Sequence, residues 1–145
     1  MKERGIFMWL YEKSVAERIV SAPVEKVWSL LAYRSNVSWR TDIVRMQTEP
    51  SSNKITEFYS NGQQLDFYRI DEKTNQYRIY KIKHRFFSGY IFEEYKATND
   101  NKTRVVITEK IRMNNDFLGV VSRLTLTLKQ GLEVYLRDIE LCLTR

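Results

Sequence analysis

Histidine and cysteine, the side chains most often used to attack a carbon, move a proton near neutral pH or bind a transition metal, are scarce in this chain. His84 is the only histidine and Cys142 the only cysteine among 145 residues. A serine or cysteine nucleophile works only with a base beside it, and no Ser-His-Asp or Cys-His set stands out. Cys142 lies between Leu141 and Leu143, a setting that suits packing better than attack. A CxxC metal site and a multi-histidine site are excluded within one chain. There is no glycine-rich phosphate loop and no GxGxxG, so neither a metal nor a nucleotide cofactor is expected.

Carboxylates are the better prospect. If Asn99 to Asn101 form a turn, the flanking strands place Ile91, Glu93, Tyr95 and Ala97 on one face with Val105, Ile107, Glu109 and Ile111. That face is the more apolar one, so Glu93 and Glu109 point inward, near one another but not directly opposite. Inward carboxylates are costly unless paired or hydrogen-bonded. They are therefore candidates for gripping a polar ligand group, or for raised pKa values. A slip of one residue in register would send both to solvent, and an inward arginine, Arg69 or Arg112, would make them a structural pair. Trp39, Tyr68, Tyr80 and Tyr95 are candidate pocket walls, since tyrosine combines apolar area with a hydroxyl that orients a ligand; plain core packing is the alternative for each. His84, at a strand end, is either a polar handle at the pocket mouth or an ordinary surface residue.

The elements that must position these groups are legible from periodicity. Residues 14–20 alternate and are rich in β-branched side chains, as a first strand does. Ser21 is placed to cap a helix from about Ala22 to Tyr33, with Pro23 in its first turn, Glu25 at the positive end of its dipole, and Val24, Val27, Trp28 and Leu31 on one face. Val37 and Trp39 anchor at most a single further turn. Residues 43–48, 54–60, 64–71, 76–84, 90–98 and 103–113 then read as six strands, and the short turns between them force antiparallel neighbours. From Asp116 the period changes: Phe117, Val121, Leu124, Leu128, Leu132, Tyr135, Ile139 and Leu143 recur every three or four residues, as in one long amphipathic helix. At the standard rise it would be roughly 42 Å long, enough to cross a sheet. Gly119 and Gly131 would let it bend or approach the sheet closely. A free coiled-coil arm would leave six strands with an uncovered apolar face, so the helix is expected to cover the sheet.

Composition agrees with a globular domain. Hydrophobic residues make up 43%, charged residues 29% and aromatics 13%, which favours neither disorder nor a membrane-embedded chain. The apolar run Ile6 to Tyr11 is shorter than a signal-peptide core or a membrane span; residues 1–13 read as an extension that packs on the domain or on a second copy, leaving 14–145 as one domain. The net charge is +6, but the cations are spread along the chain among acids. No nucleic-acid module is recognisable, so nucleic acid is not an expected partner, while peripheral contact with a membrane stays open. A lone cysteine forms no intramolecular disulfide and fits a reducing cytoplasm. A monomer and a homodimer are equally compatible with these features.

The stretch IVSAPVEKVWSLL, the tryptophan in NVSWRTDIV, the segment FFSGYIFEEYKATNDNKTRVVITEKIRMNN and the ending YLRDIELCL together resemble the START-like, or SRPBCC, superfamily of polyketide cyclase/dehydrase-like proteins, in order and spacing, from about Val15 to Leu143. The family often carries a tryptophan two residues after the hairpin glycine, where this chain has Ile91. The resemblance implies an α+β helix-grip fold: a seven-stranded curved antiparallel sheet wrapped around a long C-terminal helix, with a short helix pair after the first strand. It implies an internal cavity for a small hydrophobic ligand, lipid-like or aromatic. The superfamily includes carriers, receptors, regulators and aromatase/cyclase enzymes, so fold does not settle function. Binding or transport without catalysis is the expectation, because catalytic equipment is not recognisable. A cyclase or dehydratase-like enzyme using Glu93 or Glu109, assisted by Tyr80 or His84, and a protein-interaction domain are the alternatives.

Overall fold

The computed structural model describes residues 11–32, 37–49, 51–113 and 118–144, with side chains at 12–32, 37–49, 51–112 and 128–144. The strands are β1 (Tyr11–Val20), β2 (Ile43–Thr48), β3 (Lys54–Tyr59), β4 (Gln64–Lys73), β5 (Tyr77–Lys83), β6 (Phe87–Ala97) and β7 (Thr103–Met113); α1 is Val24–Ala32 and α2 is Leu118–Leu143. They form one antiparallel sheet in the order β1-β7-β6-β5-β4-β3-β2. The chain runs as a meander from β2 to β7, and β1 then closes against β7, pairing Tyr11 with Arg112 through Val20 with Thr103.

Two expectations are corrected. β1 begins at Tyr11, so Tyr11 to Lys13 belong to the sheet and not to an extension; residues 1–10 lie outside the described residues. The described residues between β1 and β2 contain one helix, not a pair: Val37 to Arg40 make a single turn closed by the Arg40 N–H on the Val37 carbonyl at 2.9 Å. Arg34, the end of the first helix at Tyr33, and the start of the long one at Asp116 and Phe117 also lie outside the described residues, as do the side chains of Gly119, Val121 and Leu124.

Local chemistry explains the elements that remain. α1 buries Val24, Val27 and Leu31. The Pro23 carbonyl accepts the N–H groups of Lys26 and Val27, so this residue, not the exposed Ser21, sets the helix start. The Thr103 hydroxyl donates to the Ala22 carbonyl at 2.7 Å, fixing the β1–α1 corner to the first residue of β7. The two hairpin turns before β5 and β7 are made by Asn75 and Asn101 at φ 63° and 60°, a conformation asparagine tolerates better than most residues. α2, 26 residues long and roughly 39 Å at the standard rise, lays Leu132, Leu136 and Ile139 into one core with Val20, Val27, Tyr80, Ile82, Val105 and Ile107.

Two glycines serve opposite purposes. A β-carbon on Gly89 would lie 2.0 Å from the Lys110 carbonyl oxygen on β7, so the β6–β7 ladder closes there only because the position has no side chain. A β-carbon on Gly131 would meet nothing within 4 Å; this glycine leaves space, and does not serve the close approach expected of it. Gly89→Ala should therefore cost about 2–3 kcal/mol or more, whereas Gly131→Ala should stabilise by about 0.5–1 kcal/mol. Urea denaturation of the two variants checks both signs.

Candidate functional site

The strand pleat decides which side chains face α2. On β5 they are Arg78, Tyr80 and Ile82; on β6, Phe87, Ile91, Glu93 and Tyr95; on β7, Val105, Ile107, Glu109 and Ile111, all buried. Ala97, expected on this face, is exposed at the strand end. Glu93 pairs with Ile107 and Glu109 with Ile91, so both carboxylates point inward and lie diagonally across the ladder.

Their surroundings differ. The Tyr95 hydroxyl donates to Glu93 Oε1 at 2.7 Å, and Arg78 stands directly opposite Glu93 on β5. Arg78 in turn donates to the Leu31 carbonyl at the end of α1 at 3.2 Å, lies 4.3 Å over the Trp28 ring, and places Nε 3.2 Å from Glu72, too poorly aligned for a hydrogen bond. Trp28 meets Tyr95 edge to face. Burial, followed by the field of Glu93, raises the Tyr95 pKa well above the usual phenol value. Glu109 is 3% exposed, and among the described residues its Oε1 has no hydrogen-bond partner. Burial alone pushes this carboxyl up to about 7.

Among the described residues the buried arginines are Arg78 and Arg40, not the Arg69 or Arg112 expected as partners. Arg69 pairs with Glu72 and Asn53 at the exposed end of β4, and Arg112 alternates with the buried Ile111 and so belongs to the other face of β7.

A second polar cluster was not anticipated from the sequence. Arg40, 8% exposed, donates from Nη1 to Glu57 Oε2 at 3.1 Å and from Nε to Asp42 Oδ1 at 3.3 Å. The Tyr59 hydroxyl donates to the other Glu57 oxygen at 2.8 Å. The guanidinium carbon lies 4.7 Å from the Tyr135 ring centre. Burial by itself works against the Arg40 charge, but Glu57 and then Asp42 more than offset it, so its pKa is raised. The Tyr59 pKa is raised by burial first and then by Glu57. This cluster is held in place by Asp138 of α2, 1% exposed, which accepts the Thr41 N–H at 2.8 Å and the Thr41 hydroxyl at 2.9 Å. Each of these charges read singly resembles a solvated surface residue; only the apolar neighbours of Asp138, Ile139 and Leu136, hinted that it lies on the buried stripe of the helix.

Two adjoining cavities lie between the sheet and α2. The inner one, about 90 Å³, is lined by Arg40, Glu57, Tyr80, Glu93 and Tyr135 among others. The outer one, about 520 Å³ with a mainly apolar wall, is bounded by Tyr59, Leu65, His84, Phe87 and Val134. Asp42, Leu128 and Gly131 line both. The outer cavity falls in the size range of small-molecule sites, which the inner one does not reach by itself.

Of the residues nominated from sequence, Tyr80 and Glu93 line the inner cavity and His84 the outer one. His84 accepts the Phe86 N–H at Nδ1, contacts Gln63 across the mouth at 3.1 Å and stacks on Phe87; burial and then Arg85 lower its pKa. Trp39 packs against Tyr135, and Tyr95 and Glu109 are core residues that line neither cavity. Tyr68 is a correction: it pairs with Lys81, one position from the inward Tyr80, so the pleat turns it to the outer face, where Lys83 lies 5.2 Å from its ring. Among the described residues no group of three or more His, Cys, Asp or Glu side chains is arranged to hold a metal, and no helix is long and apolar enough to cross a membrane.

The buried Glu109 carboxyl has a stability consequence. A folded-state pKa above the unfolded value means that the native state holds the proton more tightly, so this group's contribution declines as pH rises from about 4.5 through about 7. Glu109→Gln should remove that decline, raising the unfolding free energy at neutral pH relative to that at acid pH by about 3 kcal/mol. Chemical denaturation at several pH values measures it, and an unchanged slope would assign the pH dependence elsewhere.

No protein-family model matches the chain, and no curated protein matches it by sequence. Solved structures do match it in shape. A protein from Mesorhizobium loti is 18% identical, with 92% of this chain and 98% of that one aligned at a TM-score of 0.74. A START superfamily protein from Mycobacterium smegmatis is 11% identical, with 91% and 97% aligned at 0.71. The di-domain ARO/CYC StfQ from the steffimycin biosynthetic pathway is 11% identical at 0.79; 99% of this chain aligns with 54% of that protein. Likeness at such low identity concerns architecture, and with the sheet order and the covering helix it establishes that this chain has the START-like helix-grip fold.

Proposed function

We propose that the protein binds a small hydrophobic molecule in the space between the sheet and α2 and carries or senses it without chemically changing it. The observation that supports this most directly is the outer cavity, about 520 Å³, mainly apolar and adjoining a buried polar cluster. An apolar body desolvated there would contribute roughly 25 cal/mol for each Å² it removes from water, while the polar end would fix orientation. The START-like architecture of the structural neighbours supports the same reading.

The ARO/CYC neighbour raises the enzymatic alternative, in which Glu93 or Glu109 moves a proton. That mechanism needs the acid, the base and the substrate in one space. Glu93 and Tyr80 share the inner cavity, but Glu109 lines neither cavity and His84 lines only the outer one, so the arrangement favours binding over catalysis.

Gly131 supplies the test, because a side chain there enters open space at the junction of the two cavities. The purified protein is expected to enhance the fluorescence of a neutral apolar dye such as 1-aminoanthracene. Gly131→Phe should abolish the enhancement while its circular dichroism and thermal unfolding stay those of a folded protein. Full dye binding by the folded variant would place the site elsewhere.

A further inference from the structure

We infer that the cavity selects an amphiphile whose polar end is neutral or cationic, a hydroxyl or an amine, and discriminates against an acid; this rests on the binding function proposed above and specifies its ligand class. The chain as a whole carries +6, yet among the described residues the charged groups lining the two cavities are Arg40 against Asp42, Glu57 and Glu93, the imidazole of His84 at the mouth being neutral. The balance inside is thus opposite in sign to that of the molecule.

The one guanidinium that lines the cavities among the described residues is already engaged. Its Nη1 and Nε are directed to Glu57 and Asp42 at 3.1 and 3.3 Å, and its face is 4.7 Å from the Tyr135 ring. Two carboxylates surround one cation, so the cluster keeps an unbalanced negative charge. An incoming carboxylate would add like charge at a site where burial reduces screening. A hydroxyl can donate to a carboxylate oxygen without any charge being buried, and an ammonium would offset the excess.

The geometry also orients the ligand. The small inner space holds the charges and the larger outer space is mainly apolar, with Asp42 common to both. A ligand therefore enters polar end first, its head reaching Asp42 and its tail lying in the outer cavity against Leu65, Phe87 and Val134.

The experiment is competition against bound 1-aminoanthracene by decylamine, decanol and decanoate, which share one tail length and differ at the head. Decylamine and decanol should displace the dye at concentrations at least about tenfold below decanoate, and Asp42→Asn should shrink the advantage of decylamine over decanoate. Decanoate equal to or better than the others would overturn the inference while leaving the binding site in place. An amine preference unchanged in Asp42→Asn would overturn the role given to Asp42. Failure of the wild-type protein to bind the dye or any of the three competitors would count against the binding function itself, and the inference would fall with it.

Discussion

A charge taken out of water has to meet its counter-charge where it is buried, and this requirement organises the interior. Desolvating an ion costs several kcal/mol even after relaxation, so Arg40 is stable inside only because Glu57 and Asp42 are brought to its guanidinium. Those three residues come from a turn, the segment leading into β2, and β3. Their meeting depends on Asp138 of α2, whose carboxylate fixes Thr41 by its N–H and hydroxyl. The helix thus covers the sheet and also sets the segment that carries the cavity's charges. Replacing a buried ion cluster by apolar side chains of the same volume is often neutral or stabilising, which makes this cluster more easily understood as part of a site than as a support for the fold.

Arg78 solves a similar problem differently. It is buried against Trp28, donates to the Leu31 carbonyl near the end of α1 and lies beside Glu72. One side chain thereby ties the early helix to the middle of the sheet, and Trp28 and Tyr95 continue the contact to Glu93. Glu109, by contrast, meets its burial by holding a proton more tightly. The two inward carboxylates are therefore alike in sequence context and unlike in chemistry, because one has a phenol donor two residues away and the other has no hydrogen-bond partner for its Oε1 among the described residues.

Both cavities reach α2 at Gly131, beyond the close packing of the core. Leu132, Leu136 and Ile139 fill the core beneath one part of α2, but at Gly131 the helix presents no side chain and the space above β4 and β5 stays open. The mouth is bounded by the β3–β4 and β5–β6 turns, which touch through Gln63 and His84. A neutral imidazole stacked on Phe87 suits that position, since it joins two turns without adding charge to an apolar opening.

Much of the architecture was determined by sequence alone, because periodicity is a local property. The strands 43–48 and 103–113 were legible to the residue, the asparagine-rich turn set the register of the last hairpin, and that register turned Glu93 and Glu109 inward. The three-and-four spacing that ends at Leu143 required a helix, and a sheet with an apolar face required that helix as a cover. Tertiary structure alone decided the site. Arg40 and Glu57 are 17 residues apart and Thr41 and Asp138 are 97 apart, and a charge has no local pattern that distinguishes a solvated position from one buried with a distant partner. Tyr68 and Tyr80 look equivalent in sequence, yet the ladder places them on opposite faces. Local pattern fixes which elements form and which way a strand's alternate residues point; only the packing of remote segments fixes which charges meet and where space is left between them.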